Sequence, residues 1–307
     1  MKPRWKKLGC LYNPQFFNQH PKLLSHAANP VPIHLSGDVY RIFFNGRDDQ
    51  NRSSIGAVDI NIIDRKIVEK HYAPFFEHGN TNTYFSYGIS LGNYYLYKNN
   101  EYLSFMGWEH VGSKHWKGNV GNLSVTPTRK LSLASIKKPL LSTDAIDPLN
   151  LSYPWIEESS KGTLDMWYGS TRSWDTGNGE QLHTINHAAS FDGLAWSRSG
   201  TAIPYIKNVA QAFSKPTVFT TGDKKEMWFS YRGKKNEPYQ IGYASSIAGS
   251  NWVMDLAASG IGLSERGWDS EMVAYPYVFL HKNSRYMLYC GNGFGKTGFG
   301  IAICESQ

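Results

Sequence analysis

A unit of about sixty residues recurs five times along the 307-residue chain and leaves few architectures open. Each unit reads as an entry strand, an aromatic strand ten to twelve residues later, a strand of small residues and an outer strand. The intervals between equivalent positions are 60, 64, 62 and 60 residues, and those positions are Pro30, Ser90, Pro154, Pro216 and Pro276. Four strands make one propeller blade, and a blade needs neighbours because it cannot bury both its faces alone. We therefore predict an all-β protein, a single five-bladed β-propeller domain with four-stranded blades over residues 1–307, the blades beginning near residues 29, 88, 152, 214 and 274.

The composition favours strands and turns over helices. Aromatic residues make up 14% of the chain and glycine contributes 29 residues, while long helix-forming stretches are absent. We expect almost no helix. The alternative architectures are a pair of β-sandwiches or a β-solenoid, but the period is too long for a solenoid coil and a sandwich has no reason to repeat.

Several classes of protein are excluded by simple features of the chain. No apolar run reaches signal-peptide or membrane-span length, so we expect a cytoplasmic protein without membrane insertion. Three cysteines at unrelated spacings fit neither a disulfide framework nor a zinc site. The segment "CGNGFGKTG" is no phosphate loop, because Cys290 stands where the first glycine belongs and a strand follows. No RNA-binding motif is present, so no nucleic-acid partner is expected.

The formal net charge of +7 is compatible with an anionic ligand such as a phosphorylated sugar or a sugar nucleotide. The basic residues are scattered, which favours the simpler interpretation of a solvated surface. Histidines in the loops show no tight ligand spacing, so we expect no metal site and no cofactor. The sequence leaves the oligomeric state open.

The candidate site is predicted from the loops that open on one face of a propeller. In a four-stranded blade, the loop entering the innermost strand and the loop joining the second and third strands lie on the same face. Carboxylates, arginines and tryptophans gathered there suit a polyhydroxylated ligand, since indole faces stack on sugars and polar groups bind hydroxyls. The predicted substrate-binding residues are Arg47, Asp49, Trp108, Glu109, Arg172, Trp174, Arg232, Asp269, Tyr275 and Asn292.

Two carboxylates facing each other across such a pocket are able to act as general acid and general base in glycosidic bond chemistry. We predict Glu271 as the general acid and Asp48 or Asp147 as the complementary base or transition-state stabiliser. Each has a structural alternative: Glu271 as a hydrogen-bond cap on loop amides, Asp48 as the partner of an arginine, and Asp147 as part of an Asp-Pro turn.

Two motifs carry a resemblance to a known superfamily. "SFDGLAWSR" (190–198) resembles the blade-ending Ser-x-Asp-Gly-x-x-Trp of propeller enzymes, and "SEMVAYPYV" (270–278) resembles their segment with an acidic residue before a proline-led inner strand. The chain thus resembles the five-bladed β-propeller glycoside hydrolase-like superfamily of arabinanases, β-xylosidases, invertases, levansucrases and mannoside phosphorylases. "MGWEH", "MWYGSTRSW", "FSYRG", "GWDSEM" and "GNGFGKTGFGIA" further resemble an uncharacterised glycosidase-like branch associated with bacterial surface-polysaccharide gene clusters.

The resemblance implies a carbohydrate-active enzyme, glycosidase-like or transferase-like, acting on a sugar or sugar-phosphate intermediate of bacterial polysaccharide assembly. It also implies an Asp-Pro at the first inner strand as base or nucleophile. Here Asn29 stands in that place, and an amide cannot accept a proton in that role. The alternative hypothesis is therefore a non-catalytic propeller that binds a glycan or a partner protein.

Overall fold

A computed structural model describes residues 2–110, 112, 115–133, 138–159, 162–247 and 249–305. Within these ranges nearly every regular element is a β-strand, which confirms the all-β prediction. The helical elements are the four-residue α1 (Asn292–Gly295) and three 3-10 turns, Pro14–Phe16, Pro21–Leu23 and Leu256–Ser259. No helix in the described ranges is both long and apolar enough to cross a membrane.

The described strands fall into successive antiparallel groups of four. After β1 (Trp5–Tyr12), the first group is β2 (Ser25–Ser36), β3 (Val39–Arg47), β4 (Ser53–Asn61) and β5 (Lys66–Lys70). The second is β6 (Gly88–Tyr97), β7 (Asn100–His110), β8 (Trp116–Val125) and β9 (Leu131–Leu133). The third is β10 (Asn150–Glu158), β11 (Leu164–Ser173), β12 (Leu182–Ser190) and β13 (Ser197–Thr201).

The fourth group is β14 (Ala212–Thr221), β15 (Lys224–Arg232), β16 (Gln240–Ile247) and β17 (Ser250–Met254). The fifth contains β18 (Ala274–His281), β19 (Ser284–Cys290) and β20 (Phe299–Cys304), and its outer strand is β1, which pairs antiparallel with β20. Strands from both ends of the described chain therefore share one sheet.

Aromatic second strands pack against glycine in third strands. In the first group Phe44 pairs with Gly56, and a Cβ on that glycine would lie 2.8 Å from the phenyl ring. Phe229 and Gly242 form the same pair in the fourth group, at 2.6 Å. Only glycine leaves room for the ring to lie across the neighbouring strand, so the alternation of aromatic and small residues along each repeat sets this packing.

The first strands of the groups contact one another in cyclic order, β2 with β6, β6 with β10, β10 with β14, β14 with β18, and β18 with β2. An ion pair supports the joint in the fifth group, where Lys7 Nζ on β1 donates to Asp269 Oδ2 at 2.6 Å. The hydroxyl of Tyr289 on β19 donates to the same carboxylate oxygen at 3.0 Å. Asp269 is almost fully buried, so these contacts compensate a charge that has left water.

A β-bulge recurs at one position of every first strand. The register with the second strand shifts between Ala28 and Val31, Leu91 and Tyr94, Ser152 and Trp155, Ser214 and Thr217, and Ala274 and Tyr277. Asn93 therefore occupies the place that proline takes in the other groups. The expected equivalence of Ser90 was wrong by three residues, because no proline marks the bulge in that repeat.

The residue before each of these prolines has a left-handed backbone. The φ angles are 52° at Asn29, 37° at Tyr153, 51° at Lys215 and 55° at Tyr275. A residue before proline normally adopts an extended conformation, and a left-handed backbone away from glycine costs about 1–3 kcal/mol. This strained conformation occurs at the bulge, where it turns the side chain away from the regular alternation of the strand.

Side chains from these bulges make contacts where the first strands of the groups converge. Lys215 Nζ, from the fourth group, donates a hydrogen bond to the carbonyl oxygen of Gly92 in the second. Tyr153 OH, from the third group, donates to Tyr275 OH of the fifth at 3.5 Å. These contacts join groups that are not neighbours in the cyclic order, so they cross the centre.

Candidate functional site

A cavity of about 320 Å³ opens where the strand groups converge. Its lining draws on all the described groups and includes Asn29, Arg47, Trp108, Trp116, Asn150, His183, Ser214, Arg232, Tyr275 and Phe294. The lining combines aromatic rings with amides, hydroxyls and two guanidinium groups. No carboxylate lies among the described residues that form the cavity wall.

Four of the predicted site residues line this cavity, namely Arg47, Trp108, Arg232 and Tyr275. Three of them lie at the ends of second strands, β3, β7 and β15, where the loops to the third strands begin. The other predicted site residues lie outside the lining: Asp48, Asp49, Glu109, Asp147, Arg172, Trp174, Asp269, Glu271 and Asn292.

The two arginines of the cavity differ in their surroundings. Arg232 is paired, with 2.6 Å between its Nε and Oε2 of the buried Glu180, and its guanidinium lies 4.8 Å from the centre of the Tyr239 ring. The half-buried guanidinium of Arg47 makes no hydrogen bond or ion pair with any residue in the described ranges. Arg47 therefore brings an uncompensated positive charge to the cavity.

Three buried side-chain oxygens of cavity-lining residues lack a hydrogen-bond partner in the described part of the chain: Asn29 Oδ1, Asn150 Oδ1 and Ser214 Oγ. The amide nitrogens are used: Asn29 Nδ2 donates to Asn45 Oδ1 at 3.3 Å, and Asn150 Nδ2 donates to Thr171 Oγ1 at 3.2 Å. A buried oxygen without a partner costs about 1–3 kcal/mol.

His183 is fully buried on the wall between two hydroxyl groups. Its Nε2 lies 2.6 Å from Ser152 Oγ and its Nδ1 lies 2.7 Å from Thr171 Oγ1. Burial lowers the pKa of His183 to about 4, so the imidazole is neutral near pH 7. Without a carboxylate to stabilise an imidazolium, the contact with Ser152 serves to position polar groups on the wall.

Strained backbone is concentrated at the cavity. Asn29, Tyr153 and Tyr275 line it from the bulges before the prolines, and Phe294 of α1 has φ of 60°. Non-glycine residues in this region persist only where their surroundings hold them, and they cluster at ligand-binding sites. The strained backbone of the bulges therefore lowers the stability of the fold and places side chains on the cavity wall.

Asp48 lies in a compact turn beside the cavity. Its Oδ1 accepts backbone hydrogen bonds from Gln50 at 2.9 Å and Arg52 at 2.8 Å, and Arg52 Nε donates to Oδ2 at 2.8 Å. Burial acts to raise the pKa of Asp48, but the hydrogen bonds from Arg52 and Gln50 outweigh it and lower the pKa below its ordinary value. Asp49 next to it is exposed.

Asp147 is completely buried and joins several strands of the third group. Its carboxylate accepts from Tyr168 OH at 2.7 Å, Ser170 Oγ at 2.6 Å and Asn186 Nδ2 at 2.8 Å, and it pairs with Arg198 at 2.5 Å. Burial acts to raise the pKa of Asp147, but these hydroxyls and Arg198 lower it below its ordinary value. The carboxylate is thus held ionised inside the protein.

Glu271 is exposed on the loop before β18. Its backbone N–H donates to Asn292 Oδ1 at 2.8 Å, and Asn292 Nδ2 donates to the carbonyl of Gly267 at 3.1 Å. Asn292 begins α1, the turn whose Phe294 lines the cavity. The carboxylate itself has no partner among the described residues, so Glu271 carries a free acid group on the loop that contacts α1.

Aromatic side chains lie next to Trp116 of the cavity lining. Trp174 stacks on His115 with ring centres 4.2 Å apart, and it lies edge-to-face with the cavity residue Trp116 at 5.4 Å. Arg172 is exposed and donates to the carbonyl of Ile146. Glu109, on β7, is half-buried and pairs in register with a residue of β8.

One group of metal-ligand type occurs in the described ranges: oxygen and nitrogen atoms of Asp59, Glu69 and His71 lie within 4.8 Å of one another, away from the cavity. Arg41 already donates two hydrogen bonds of 2.8 Å to Asp59. The cluster reads as an ion-pair network on the outer strands of the first group.

Comparison with solved structures defines the class of the fold. A structure described as a glycoside hydrolase gives a TM-score of 0.75 at 14% identity, covering 99% of this chain and 91% of that one. An endo-arabinase from Bacteroides thetaiotaomicron gives a TM-score of 0.62 at 15% identity, covering 94% of this chain and 97% of that one. A third structure comes from the GH130 family of mannoside phosphorylases, described as containing glycoside hydrolases that target β-1,2-mannosidic linkages in Candida mannan. It gives a TM-score of 0.69 at 11% identity, covering 99% of this chain and 94% of that one. The chain therefore shares the fold of these glycoside hydrolase structures.

Sequence comparison then gives the family. The chain belongs to the family of the uncharacterised Mycobacterium tuberculosis proteins MT1551 and Rv1502. Each is 36% identical over 307 residues, an alignment that covers 98% of this chain and 99% of the relative. No protein-family model matches the chain.

Several wall residues were not predicted from the sequence. Asn29, Tyr153 and Ser214 lie in the small-x-Pro segments that define the repeat, but their side-chain direction depends on the bulge. For Asn29 and Tyr153 a common signal was present, because each directly precedes a proline at the same position of the repeat. In the third group, Thr171 pairs with Asn150 as Arg232 pairs with Ala212, so the alternation of the strand turns Arg172 the other way.

Proposed function

We propose that the protein binds a carbohydrate in the central cavity. The observation that carries the proposal is the wall itself, which combines the indole of Trp108 and the ring of Tyr275 with the polar residues Asn29, Asn150 and Ser214. Aromatic faces stack on the apolar faces of sugar rings, and amide oxygens accept hydrogen bonds from sugar hydroxyls. Within this proposal the five strand groups are the blades of a single propeller domain.

Affinity for the wall is tested by thermal shift against a panel of mono- and oligosaccharides. A ligand at a hundred times its Kd raises the free energy of unfolding by about 2.7 kcal/mol. Trp108→Ala is expected to remove the shift, while Phe191→Ala, which changes an exposed ring remote from the cavity lining, is the matched control and should preserve it. A shift that survives Trp108→Ala and Asn150→Ala together would place the sugar elsewhere.

A second candidate function is glycosidase-like catalysis with Glu271 as general acid. The specific observation in its favour is the exposed, unpaired carboxylate fixed through Asn292 to the turn that carries Phe294. The complementary carboxylate is the weaker part, since Asp48 and Asp147 are both engaged by arginine. Glu271→Gln should abolish turnover of a hydrolysed substrate and leave the melting temperature unchanged; retained turnover removes Glu271 from this role.

The proposal extends to the biological setting on the strength of the motif resemblance. The motifs "GWDSEM" and "GNGFGKTGFGIA" resemble a branch associated with surface-polysaccharide clusters, which supports a sugar intermediate of bacterial polysaccharide assembly as the ligand. A cytoplasmic location belongs to the same proposal. Fractionation of cells that produce the tagged full chain tests the location directly.

A further inference from the structure

The first strand group places His26 beside Arg47, a residue of the cavity lining. In the register of β2 with β3, Ser25 pairs with Arg47 and Ala28 pairs with Asn45. The extra residue in β2 makes a second bulge, in which His26 has a left-handed φ of 64°. His26 therefore lies beside Arg47, and Arg47 lines the cavity.

A third basic side chain comes from the fifth group. The turn α1 packs directly on β2, since a Cβ added at Gly295 would lie 2.8 Å from the carbonyl oxygen of Ala27. Lys296 follows at the end of this turn and is exposed. Burial first, and then the charges of Arg47 and Lys296, lower the pKa of His26 to about 4. Arg47 and Lys296 are thus both close enough to His26 to lower its pKa.

Arg47 differs from four other half-buried arginines of the protein. Arg41, Arg52, Arg198 and Arg232 each pair with a carboxylate. Neither the guanidinium of Arg47 nor the ammonium of Lys296 makes a hydrogen bond or ion pair with a residue in the described ranges. The cavity wall that these residues adjoin also offers no carboxylate within the described chain.

We propose, resting on the carbohydrate function proposed above, that the ligand carries a phosphoryl group bound between Arg47, Lys296 and His26. A phosphate monoester carries close to two negative charges at pH 7 and three acceptor oxygens, which match two cations and an imidazole donor. The planar guanidinium of Arg47 binds two phosphoryl oxygens in parallel, and the flexible ammonium of Lys296 supplies a point charge. The sugar then extends from this anion towards Trp108 in the same cavity.

The decisive measurement is isothermal titration calorimetry of the full chain with inorganic phosphate, glucose 1-phosphate, glucuronate and glucose. Wild-type protein is expected to bind inorganic phosphate and glucose 1-phosphate. Arg47→Met is expected to weaken both roughly ten- to hundredfold, the loss of one charge-assisted contact, and Lys296→Met to weaken them by less because its side chain is exposed. Lys234→Met removes an exposed lysine of another group and is the matched control, with unchanged binding. Circular dichroism and melting temperature establish that each variant is folded.

The outcomes separate the two proposals. Phosphate binding that is absent, or equal in wild type and Arg47→Met, overturns the phosphoryl subsite, as does binding of glucuronate with no binding of phosphate. Binding of neutral sugars alone leaves the carbohydrate function standing and removes the subsite. Arg47-dependent binding of inorganic phosphate, in a protein whose thermal-shift panel shows no sugar, keeps the subsite and removes the carbohydrate function.

Discussion

Replacing Lys215 with methionine is expected to change the pH dependence of stability. Lys215 is almost completely buried at the bulge of β14, where its Nζ donates to Gly92 and lies 5.6 Å from the centre of the Tyr277 ring. Burial lowers the pKa of Lys215 from 10.5 to about 7, and a smaller opposing contribution comes from Cys290. One pKa unit corresponds to about 1.4 kcal/mol, so the protonated lysine destabilises the folded state by about 5 kcal/mol.

The sign of the effect follows from proton linkage. Below pH 7 the lysine is protonated in both the folded and the unfolded chain, so the folded protein carries the full penalty. Between about pH 7 and 10.5 the folded chain releases the proton first, and this group raises the free energy of unfolding as pH rises. From about pH 6 to about pH 9.5 the gain is about 3 kcal/mol.

Lys215→Met removes this dependence and leaves the carbonyl of Gly92 without its donor. The lost hydrogen bond costs about 1–3 kcal/mol, but equally at every pH. Urea unfolding at about pH 6 and about pH 9.5 measures the free energy of unfolding of the variant minus that of wild type. This difference should be about 3 kcal/mol more positive at the lower pH than at the higher pH. Lys234→Met, at an exposed position, should run parallel to wild type. A constant difference between Lys215→Met and wild type at the two pH values would refute the reasoning.

Two further predictions concern buried carboxylates. Asp147→Asn removes the buried charge that pairs with Arg198 and leaves this arginine only the more exposed Asp144 as an ionic partner. The substitution should destabilise the protein by about 3–5 kcal/mol in urea unfolding, whereas the exposed control Asp49→Asn should change stability by less than about 0.5 kcal/mol. Equal small effects would contradict a structural role for Asp147. Lys7→Met leaves the buried Asp269 without its ion-pair partner and should lower the free energy of unfolding by about 3–5 kcal/mol, measured as a lower urea midpoint. An unchanged midpoint would show that this ion pair contributes little to stability.

The sequence repeat was sufficient to predict the strands because each unit carries the same order of aromatic and small residues. Period-two patterns and turn residues act locally, so they survive in a single sequence. The register of β6 was not predictable, since Asn93 gives no proline signal at its bulge. Long-range contacts, such as those between Gly92 and Lys215, set that register, and they leave no mark in the local sequence.

The candidate site was predictable at the ends of the second strands and less so elsewhere. Arg47, Trp108 and Arg232 line the cavity because the loops to third strands open on the face where the groups converge. The contacts of Asp147 arise from Arg198, fifty-one residues away on β13, a pairing that depends on the fold of the third group. Tyr275 was predicted, but Asn29 and Tyr153 at the same position of other repeats were overlooked, because residues before proline normally adopt an extended backbone that would turn them away from the centre.

The pairing of β1 with β20 has a consequence for the newly made chain. Trp5–Tyr12 leaves the ribosome early, yet the strand it must join, Phe299–Cys304, is synthesised nearly three hundred residues later. Until then the apolar face of β1 and the open edge of the fifth sheet have no partner, and unpaired edges invite aggregation. Translation speed and chaperone binding therefore affect the late pairing of β1 with β20. The four groups that are continuous in sequence are free to form as soon as each is synthesised.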